Sequence, residues 1–309
     1  MSERRPIDAT GAGLMFLLCL AWSCQQIVLK ATSQEMAPVL QIAVRSGGAA
    51  LLVGLLMRWR GEPLNLADGT WRPGLFCGLL FAIEFLLAGV GLQFTHAAHL
   101  IVFLYTAPIF AALGLHLLGT ERLATLQWLG IAIAFAGIAV AFLGSGAAPT
   151  GNAAPGPGTL FGDALALLAG CAWGSTTVVV RHTSLARLSA TRTLLYQLVT
   201  SSVLLFGAAV AIGQTAIDPT PRLLAGLGFQ TVIVTFASFL AWFWLLRRYL
   251  AFQLGVFSFI TPMLGVVLGV LLLDEPLEPG FVGGATLLVA GIVLVSGHAW
   301  LKQRTARPG

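Results

Sequence analysis

The sequence predicts an all-α polytopic membrane protein with ten transmembrane helices arranged as two inverted five-helix repeats. The first supporting observation is composition: 57% of the 309 residues are hydrophobic and only 9% are charged. Globular domains average about 45–50% apolar and about 25% charged residues. The second is a series of long apolar windows, and the third is an internal duplication. Together they exclude an ordinary soluble domain.

Apolar windows follow one another from end to end, separated by charged or Gly/Pro-rich breaks. Each is roughly 20 residues long, enough to cross a hydrocarbon core about 30 Å thick. The first window is too long for a signal-peptide core and continues into further spans. We predict ten helices, at about 11–30, 37–57, 73–94, 98–118, 125–144, 159–180, 190–212, 223–246, 250–273 and 279–300.

The duplication shows in the stretch 97–144, which returns near the C-terminus. Four pairs of residues match at a constant separation of 154 positions: Pro108 and Pro262, Glu121 and Glu275, Gly130 and Gly284, and Gly137 and Gly291. The Ala-Trp pair of the first window, at Trp22, recurs in the sixth at Trp173. The repeated glycines predict small-residue faces for close helix contact.

The basic residues predict the orientation. With the N-terminus in the cytoplasm, 14 of the 17 Lys and Arg residues fall in cytoplasmic segments, and only Lys30 and Arg222 fall outside. The positive-inside rule therefore places both termini in the cytoplasm. Because five spans per repeat is an odd number, the two repeats have opposite orientations. We expect a first repeat at 1–145, a flexible outside linker at 146–158, a second repeat at 159–300 and a basic cytoplasmic tail at 301–309.

These features resemble the drug/metabolite transporter superfamily, in its EamA-like branch. The resemblance rests on the two five-helix repeats, the Ala-Trp pair in the first helix of each, and the matched Pro and Glu residues. Within the branch, the chain is similar to bacterial amino-acid exporters, including those for aromatic amino acids. The resemblance implies a secondary transporter of the bacterial inner membrane that exports small metabolites, amino acids above all, by alternating access. An exporter of lipophilic cations or other drug-like metabolites is the alternative.

Two charged residues lie inside predicted spans. Glu84 is near the centre of the third span, where a carboxylate costs roughly 2.5–3.5 kcal/mol on insertion scales. It either titrates or binds a substrate amine, or it is a buried acid hydrogen-bonded to a neighbouring helix. Arg45 in the second span either clamps a substrate carboxylate, extends to the outer interface, or pairs with Glu84.

Polar and aromatic side chains form stripes on several apolar spans. In the eighth span, Thr231, Thr235, Ser238 and Trp242 are spaced as one face of an α-helix. Such stripes serve either as hydrogen-bonding contacts between helices or as the lining of a pore. The predicted substrate-binding or pore residues are Trp22, Gln25, Glu84, His99, Trp173, Thr177, Tyr196, Gln197, Ser238 and Trp242.

Two further features concern the outer surface and the helix backbone. His96 and His99 have the spacing of a metal-ligand pair but no third ligand, so we interpret them as interface residues, with His99 able to meet substrate at the mouth of the pore. Pro108 and Pro262 each remove a backbone donor in mid-span and predict kinks or unwound turns, which serve either as hinges or as static kinks for packing.

Other functional classes lack their motifs. There is no Walker motif, no HExxH and no intramembrane Gly-x-Ser-Gly, and the four cysteines lie in spans without CxxC spacing. We therefore predict no enzyme activity, no cofactor and no metal. The expected partners are a small-molecule substrate and membrane lipid, with no nucleic acid, no ATPase domain in this chain and a monomeric state.

Overall fold

The computed structural model describes residues 7–63, 69–119, 123–144, 157–249, 254, 257–258, 260–277 and 279–305. Helices dominate these residues, and extended backbone forms an isolated bridge between Met36 and Ile217. The first half contains α1 (Ala9–Ala31), α2 (Pro38–Trp59), α3 (Trp71–Gly91), α4 (Ala97–Leu104), α5 (Ala107–Leu117) and α6 (Thr125–Gly144).

The second half begins with α7 (Pro157–His182), followed by a 3₁₀ turn (Ser184–Arg187) and α8 (Ala190–Ala211). The next span is composite: α9 (Pro221–Gly228) continues into a π-helical segment (Phe229–Ser238) and then α10 (Phe239–Arg248). The last two helices are α11 (Ile260–Leu273) and α12 (Pro279–Thr305). Glu121 and the segment 145–156 lie outside the described residues, so most of the predicted linker is not described.

Seven helical segments are long and apolar enough to cross a membrane. They are Ala9–Ala31, Pro38–Trp59, Trp71–Gly91, Ala97–Leu117, Gly158–His182, Ala190–Ala211 and Pro221–Trp242. Three shorter apolar helices, Thr125–Ala141, Ile260–Leu273 and Pro279–Leu294, occupy the remaining predicted windows. Large apolar side chains such as Leu51 and Leu117 are exposed on the bundle surface, as expected where lipid is the solvent. The protein is therefore a multi-pass helical membrane protein, and crossing by all ten helices stays a prediction.

Side-chain caps and prolines define several helix starts. The Asp8 carboxylate accepts a hydrogen bond of 2.8 Å from the Gly11 N–H at the start of α1. The Thr220 hydroxyl accepts one of 3.1 Å from Leu223, and Pro221 occupies the first turn of α9. Proline suits this position because its missing N–H would have no partner there.

Pro108 coincides with an interruption of the fourth span. The helix stops at Leu104 and restarts at Ala107, because proline cannot donate to the Leu104 carbonyl. At the interruption, the Thr106 hydroxyl donates to the Phe103 carbonyl at 2.6 Å. The break predicted at Pro108 is present. Pro262 is the third residue of α11, and residue 259 just before that helix is not described.

The first helices of the two halves pack against these proline regions in matched ways. On α1, the Cys19 thiol donates to the Phe257 carbonyl at 3.4 Å and the Ser23 hydroxyl to the Thr261 carbonyl at 2.8 Å. On α7, a Cβ atom at Gly170 would lie 2.9 Å from the Phe103 carbonyl oxygen, and one at Gly174 would lie 2.6 Å from the Ala107 carbonyl oxygen. Those carbonyls precede Phe257 and Thr261 by the same 154 positions that separate the two prolines.

Helices α6 and α12 pack through the repeated glycines. A Cβ atom at Gly137 would lie 2.7 Å from the Gly284 carbonyl oxygen, and one at Gly291 would collide with the Gly130 carbonyl oxygen and Ala134. The partner number falls as the residue number rises, so the two helices are antiparallel. Gly137 contacts Gly284, and their repeat equivalents, Gly291 and Gly130, contact each other in the same way. This exchange of partners is the pattern of a two-fold relation. The predicted small-residue contact is confirmed.

Two ends of the bundle can be defined by their contacts. At the far end, where α1 finishes, the Lys30 ammonium donates to the Leu92 and Thr95 carbonyls at 2.6 and 2.7 Å. At the near end, where α1 begins, the Tyr249 hydroxyl donates to Asp8 at 2.7 Å. Both ends therefore carry polar contacts between distant parts of the chain.

Candidate functional site

Arg45 lies in the middle of α2 and is 2% exposed. Its guanidinium carbon is 4.7 Å from the centre of the Phe85 ring on α3, a cation–π distance. Its Nε and Nη1 atoms are buried and have no hydrogen-bond partner among the described residues. The predicted alternative in which Arg45 extends to the outer interface is wrong, because the side chain is enclosed by protein.

Glu84 lies next to Phe85 on α3 and is 5% exposed. Its carboxylate interacts electrostatically with Arg45. Within the described part of the chain, however, no ion pair of 4.0 Å or less joins the two side chains, and Oε2 of Glu84 has no partner. The predicted direct ion pair is therefore not formed. The buried guanidinium and the buried carboxyl group each keep bonding capacity for a third group.

Aromatic side chains stand beside this pair. Tyr105, at the break between α4 and α5, is buried and lies within electrostatic range of Glu84. Its ring meets the half-buried Trp173 of α7 edge to face, with centroids 5.3 Å apart. Phe81 and Phe85 form a similar contact at 4.7 Å. The charged pair thus sits close to aromatic groups contributed by both halves.

A second aromatic group joins α1 to the eighth span. The Trp22 indole N–H donates to the Ser238 hydroxyl at 2.8 Å, and its ring meets Trp242 edge to face at 5.7 Å. The Ser238 hydroxyl in turn donates to the Val234 carbonyl. Three of the predicted pore residues are therefore in contact with one another, although their role stays a prediction.

The polar stripe of the eighth span differs from the sequence prediction. Residues Phe229–Ser238 form π-helix rather than the α-helix assumed for Thr231, Thr235 and Ser238. A π-helix turns less per residue, so these side chains do not share one face as α-helical spacing implies. Thr235 and Ser238 are buried, whereas Thr231 is partly exposed and its methyl group lies close to Gly48 of α2.

Several other buried polar atoms on these spans have no partner among the described residues. They are Gln26 Oε1, Tyr196 OH, Thr200 Oγ1, Ser201 Oγ, Gln230 Oε1 and Thr235 Oγ1. Leaving such a group unpaired costs about 1–3 kcal/mol, so native proteins seldom keep many without water or a ligand. Five of these six atoms lie on α8 and the π-helical segment, which indicates an interior that is solvated or receives a polar ligand.

Some predicted site residues are engaged in local contacts instead. The Gln197 amide donates to the Cys77 sulfur at 3.3 Å, and the Thr177 hydroxyl bonds the Trp173 carbonyl one turn back at 3.4 Å. Gln25 is buried in α1. Tyr196 packs its ring against Gly74 of α3, with its hydroxyl unpartnered.

His99 was predicted as an interface residue able to meet substrate at the pore mouth, and the structure places it differently. It is buried, and its Nδ1 lies 3.0 Å from the Asp163 carboxylate of α7. Sequence reasoning missed Asp163, although an acid inside an apolar span is the signal that identified Glu84. Glu275 accepts hydrogen bonds from the Ala97 and Ala98 N–H groups of the other half.

The apolar bundle with its charged and aromatic interior is typical of a small-molecule transporter. The profile of the EamA-like transporter family matches residues 9–143 and again residues 160–297. The chain therefore belongs to the EamA-like transporter family, which confirms the resemblance to the drug/metabolite transporter superfamily and the presence of two repeats.

Three curated proteins are similar along most of their length. The chain is 26% identical to the uncharacterized transporter YvbV of Bacillus subtilis, in an alignment that covers 92% of this chain and 90% of that protein. It is 21% identical to the uncharacterized transporter YoaV of Bacillus subtilis, over 89% of this chain and 92% of that protein. It is 28% identical to the uncharacterized protein PA1977 of Pseudomonas aeruginosa over 96% of both chains. A solved crystal structure with 19% identity and a TM-score of 0.66 covers 97% of this chain and 100% of its own, which supports the fold alone.

Proposed function

We propose that this transporter exports amino acids, aromatic and other neutral ones, across the bacterial inner membrane by alternating access. The observation that carries the proposal is the Arg45–Glu84 pair, a buried guanidinium and a buried carboxyl group that interact without bonding each other. The zwitterion of an α-amino acid has a carboxylate and an ammonium group attached to one carbon atom, and these groups complement the guanidinium and the carboxyl group. Few other small metabolites match both groups at once.

The chemistry of the pair assigns the substrate orientation. The guanidinium, stacked on Phe85, presents N–H donors that bind a carboxylate in a bidentate way. Glu84 accepts hydrogen bonds from the ammonium group. The substrate side chain then lies against Tyr105 and Trp173, and aromatic contacts add about 0.5–1.5 kcal/mol beyond burial.

The matched contacts of the two halves support an inverted repeat. Antiparallel α6 and α12 meet through equivalent glycines, and α1 and α7 each contact carbonyls near a proline of the other half. In this proposal the near end faces the cytoplasm, as the basic residues indicate, and both termini lie there. The repeat boundaries 1–145 and 159–300 follow, with Pro108 and Pro262 as equivalent hinges.

The other partners belong to the same proposal. The chain contains no Walker motif, so substrate or ion gradients drive export rather than ATP hydrolysis by this chain. The protein acts as a monomer surrounded by lipid. It uses no cofactor and binds no nucleic acid.

Proteoliposomes test the substrate class. Purified protein is expected to exchange labelled phenylalanine, tryptophan and leucine, while sugars and nucleosides give only the rate of protein-free vesicles. The panel includes cationic dyes, because export of lipophilic cations is the alternative function. Glu84 is a buried acid in mid-span, and no described residue bonds its Oε2 atom. Dye flux without amino-acid flux would establish the alternative and overturn the proposal.

The aromatic wall gives a separate prediction. Replacing Trp173 with alanine is expected to lower the exchange of phenylalanine by roughly tenfold, because an aromatic contact of about 1 kcal/mol and part of its buried area are lost. Trp173→Phe is the matched control, since it keeps a ring facing Tyr105. Alanine exchange should change less than phenylalanine exchange in the same vesicles. Equal losses for both substrates would show that Trp173 does not contact the substrate side chain.

A further inference from the structure

A buried amide next to Arg45 on α2 has its orientation fixed by its neighbours. The Gln41 NH2 group donates to the Thr32 and Met36 carbonyls at 3.1 and 2.7 Å, which uses both of its N–H donors. Its carbonyl oxygen, Oε1, is therefore on the other side of the amide. There it accepts a hydrogen bond of 3.2 Å from Nε2 of Gln230.

This contact also fixes the amide of Gln230, which belongs to the π-helical segment. Because the partner atom on Gln41 is an acceptor, Gln230 turns its NH2 group toward Gln41 and its carbonyl oxygen away. Reversing the amide would bring two carbonyl oxygens together. Gln230 is fully buried, and its Oε1 atom has no hydrogen-bond partner in the described part of the chain. The structure thus keeps an unpaired acceptor with a fixed direction.

Gln230 lies against the face of α2 that carries Arg45. Residues 41, 45 and 48 are one and two helical turns apart, so they share a face. Gln41 bonds Gln230, and a Cβ atom at Gly48 would lie 2.9 Å from the Thr231 side chain. Arg45 is between these two contacts. The unpaired acceptor therefore lies beside the residue that binds the substrate carboxylate in the proposed function.

Helix α1 contributes a second unpaired acceptor, Gln26. The Trp22 indole of α1 donates to the Ser238 hydroxyl at 2.8 Å. Six residues further along α1, Val28 lies 3.0 Å from the position of a Cβ atom at Gly226. Gln26 is between these points and one turn after Trp22, so it faces the π-helical segment. It is 3% exposed, and no residue that the structure describes bonds its Oε1 atom.

The chemistry of the two amide oxygens defines the missing group. A carbonyl oxygen accepts a hydrogen bond and cannot donate one, so its partner must carry an N–H or O–H group. Native interiors seldom leave such an atom unpaired. The substrate carboxylate has no donor, and the ammonium group is assigned to Glu84. A donor on the substrate side chain remains, with water as the other candidate occupant.

We propose that Gln26 and Gln230 are specificity-determining residues that accept a hydrogen bond from an N–H or O–H group of the substrate side chain. Neutral amino acids with such a group, such as tryptophan with its indole N–H, then bind more tightly than apolar ones of the same shape. A site built around a donor rejects analogues that lack it, because its own buried acceptor is left unpaired. This inference rests on the proposed export of amino acids.

Two ligands that differ in this donor test the inference. Benzothienylalanine has the ring shape, carboxylate and ammonium group of tryptophan, but sulfur replaces the indole N–H. Affinity is measured from the rise of the thermal midpoint with ligand concentration for the purified protein in detergent, so no transport is required. We expect tryptophan to bind roughly tenfold more tightly than benzothienylalanine. Equal affinities, as expected if water pairs both carbonyl oxygens, would overturn the inference.

Methionine variants connect the preference to the two glutamines. Gln26→Met and Gln230→Met each remove one acceptor and keep an unbranched side chain of similar length. Tryptophan should lose its advantage over benzothienylalanine in at least one of them, and the variant that does so identifies the acceptor. A merely structural defect would weaken both ligands alike and leave the ratio of the two affinities unchanged. A ratio that stays near tenfold in both variants would therefore contradict the inference.

Phenylalanine separates this inference from the proposed function. If phenylalanine raises the thermal midpoint while tryptophan and benzothienylalanine bind with equal affinity, the role of the glutamines is overturned and amino-acid binding stands. If none of the three ligands raises the midpoint, the proposed substrate class fails together with the inference.

Discussion

Replacing Arg45 with glutamine is expected to reduce amino-acid exchange by roughly two orders of magnitude. Truncating one partner of a buried charged contact costs about 2–5 kcal/mol, and each 1.36 kcal/mol corresponds to about a tenfold change. Glutamine is polar but uncharged, and it lacks the guanidinium fork that holds both oxygens of a carboxylate. The loss should appear at low substrate concentration, where binding limits exchange.

Two further variants separate substrate binding from damage to the fold. Arg45→Lys keeps the charge and loses the bidentate geometry, so it should retain an intermediate rate. Arg45→Gln combined with Glu84→Gln removes both buried charges and should recover thermal stability without recovering exchange. If Arg45→Gln exchanged phenylalanine at the rate of the unmodified protein, Arg45 would have no part in substrate binding.

Gly284→Ala is expected to lower the free energy of unfolding by roughly 1–3 kcal/mol, the usual cost of overpacking. A Cβ atom at this position would lie 2.6 Å from the Gly137 carbonyl oxygen and from Cβ of Ala141. Those atoms belong to the backbone and first carbon of α6, which cannot move aside without separating the helices. Because the contact is between the last helices of the two repeats, its loss affects both halves.

The neighbouring glycine provides the control. A Cβ atom at Gly283 meets nothing within 4 Å, so Gly283→Ala should leave the thermal midpoint unchanged or slightly raised. The measurement is the unfolding midpoint of the purified protein in one detergent. Equal midpoints for the Gly283 and Gly284 variants would show that α6 and α12 are not packed as described.

The sequence was informative where one residue has a strong local effect. Pro108 removes a backbone donor, and the helix is interrupted there. The glycines at 130, 137, 284 and 291 lack side chains, and the helices approach closely at those positions. Apolar windows predicted the helices because hydrocarbon requires every backbone group to be bonded within its own segment.

The site was less predictable because it depends on contacts between distant segments. Periodicity reasoning assumed an α-helix in the eighth span, and it cannot anticipate a π-helical segment that rotates Thr235 and Ser238. The burial of His99 depends on Asp163, which is 64 residues away, and on Phe281. The interruption placed Tyr105 beside Trp173, a contact that no spacing in the sequence encodes.

The most direct test of the account compares phenylalanine with two analogues that each lack one of its charges. Phenylethylamine lacks the carboxylate that Arg45 binds, and phenylpropionate lacks the ammonium that Glu84 binds, while all three keep the same ring. In proteoliposomes we expect phenylalanine to exchange and both analogues to exchange at least roughly tenfold more slowly, since each leaves one buried charge unpaired. Exchange of phenylethylamine at the rate of phenylalanine would contradict the account and identify an exporter of lipophilic cations.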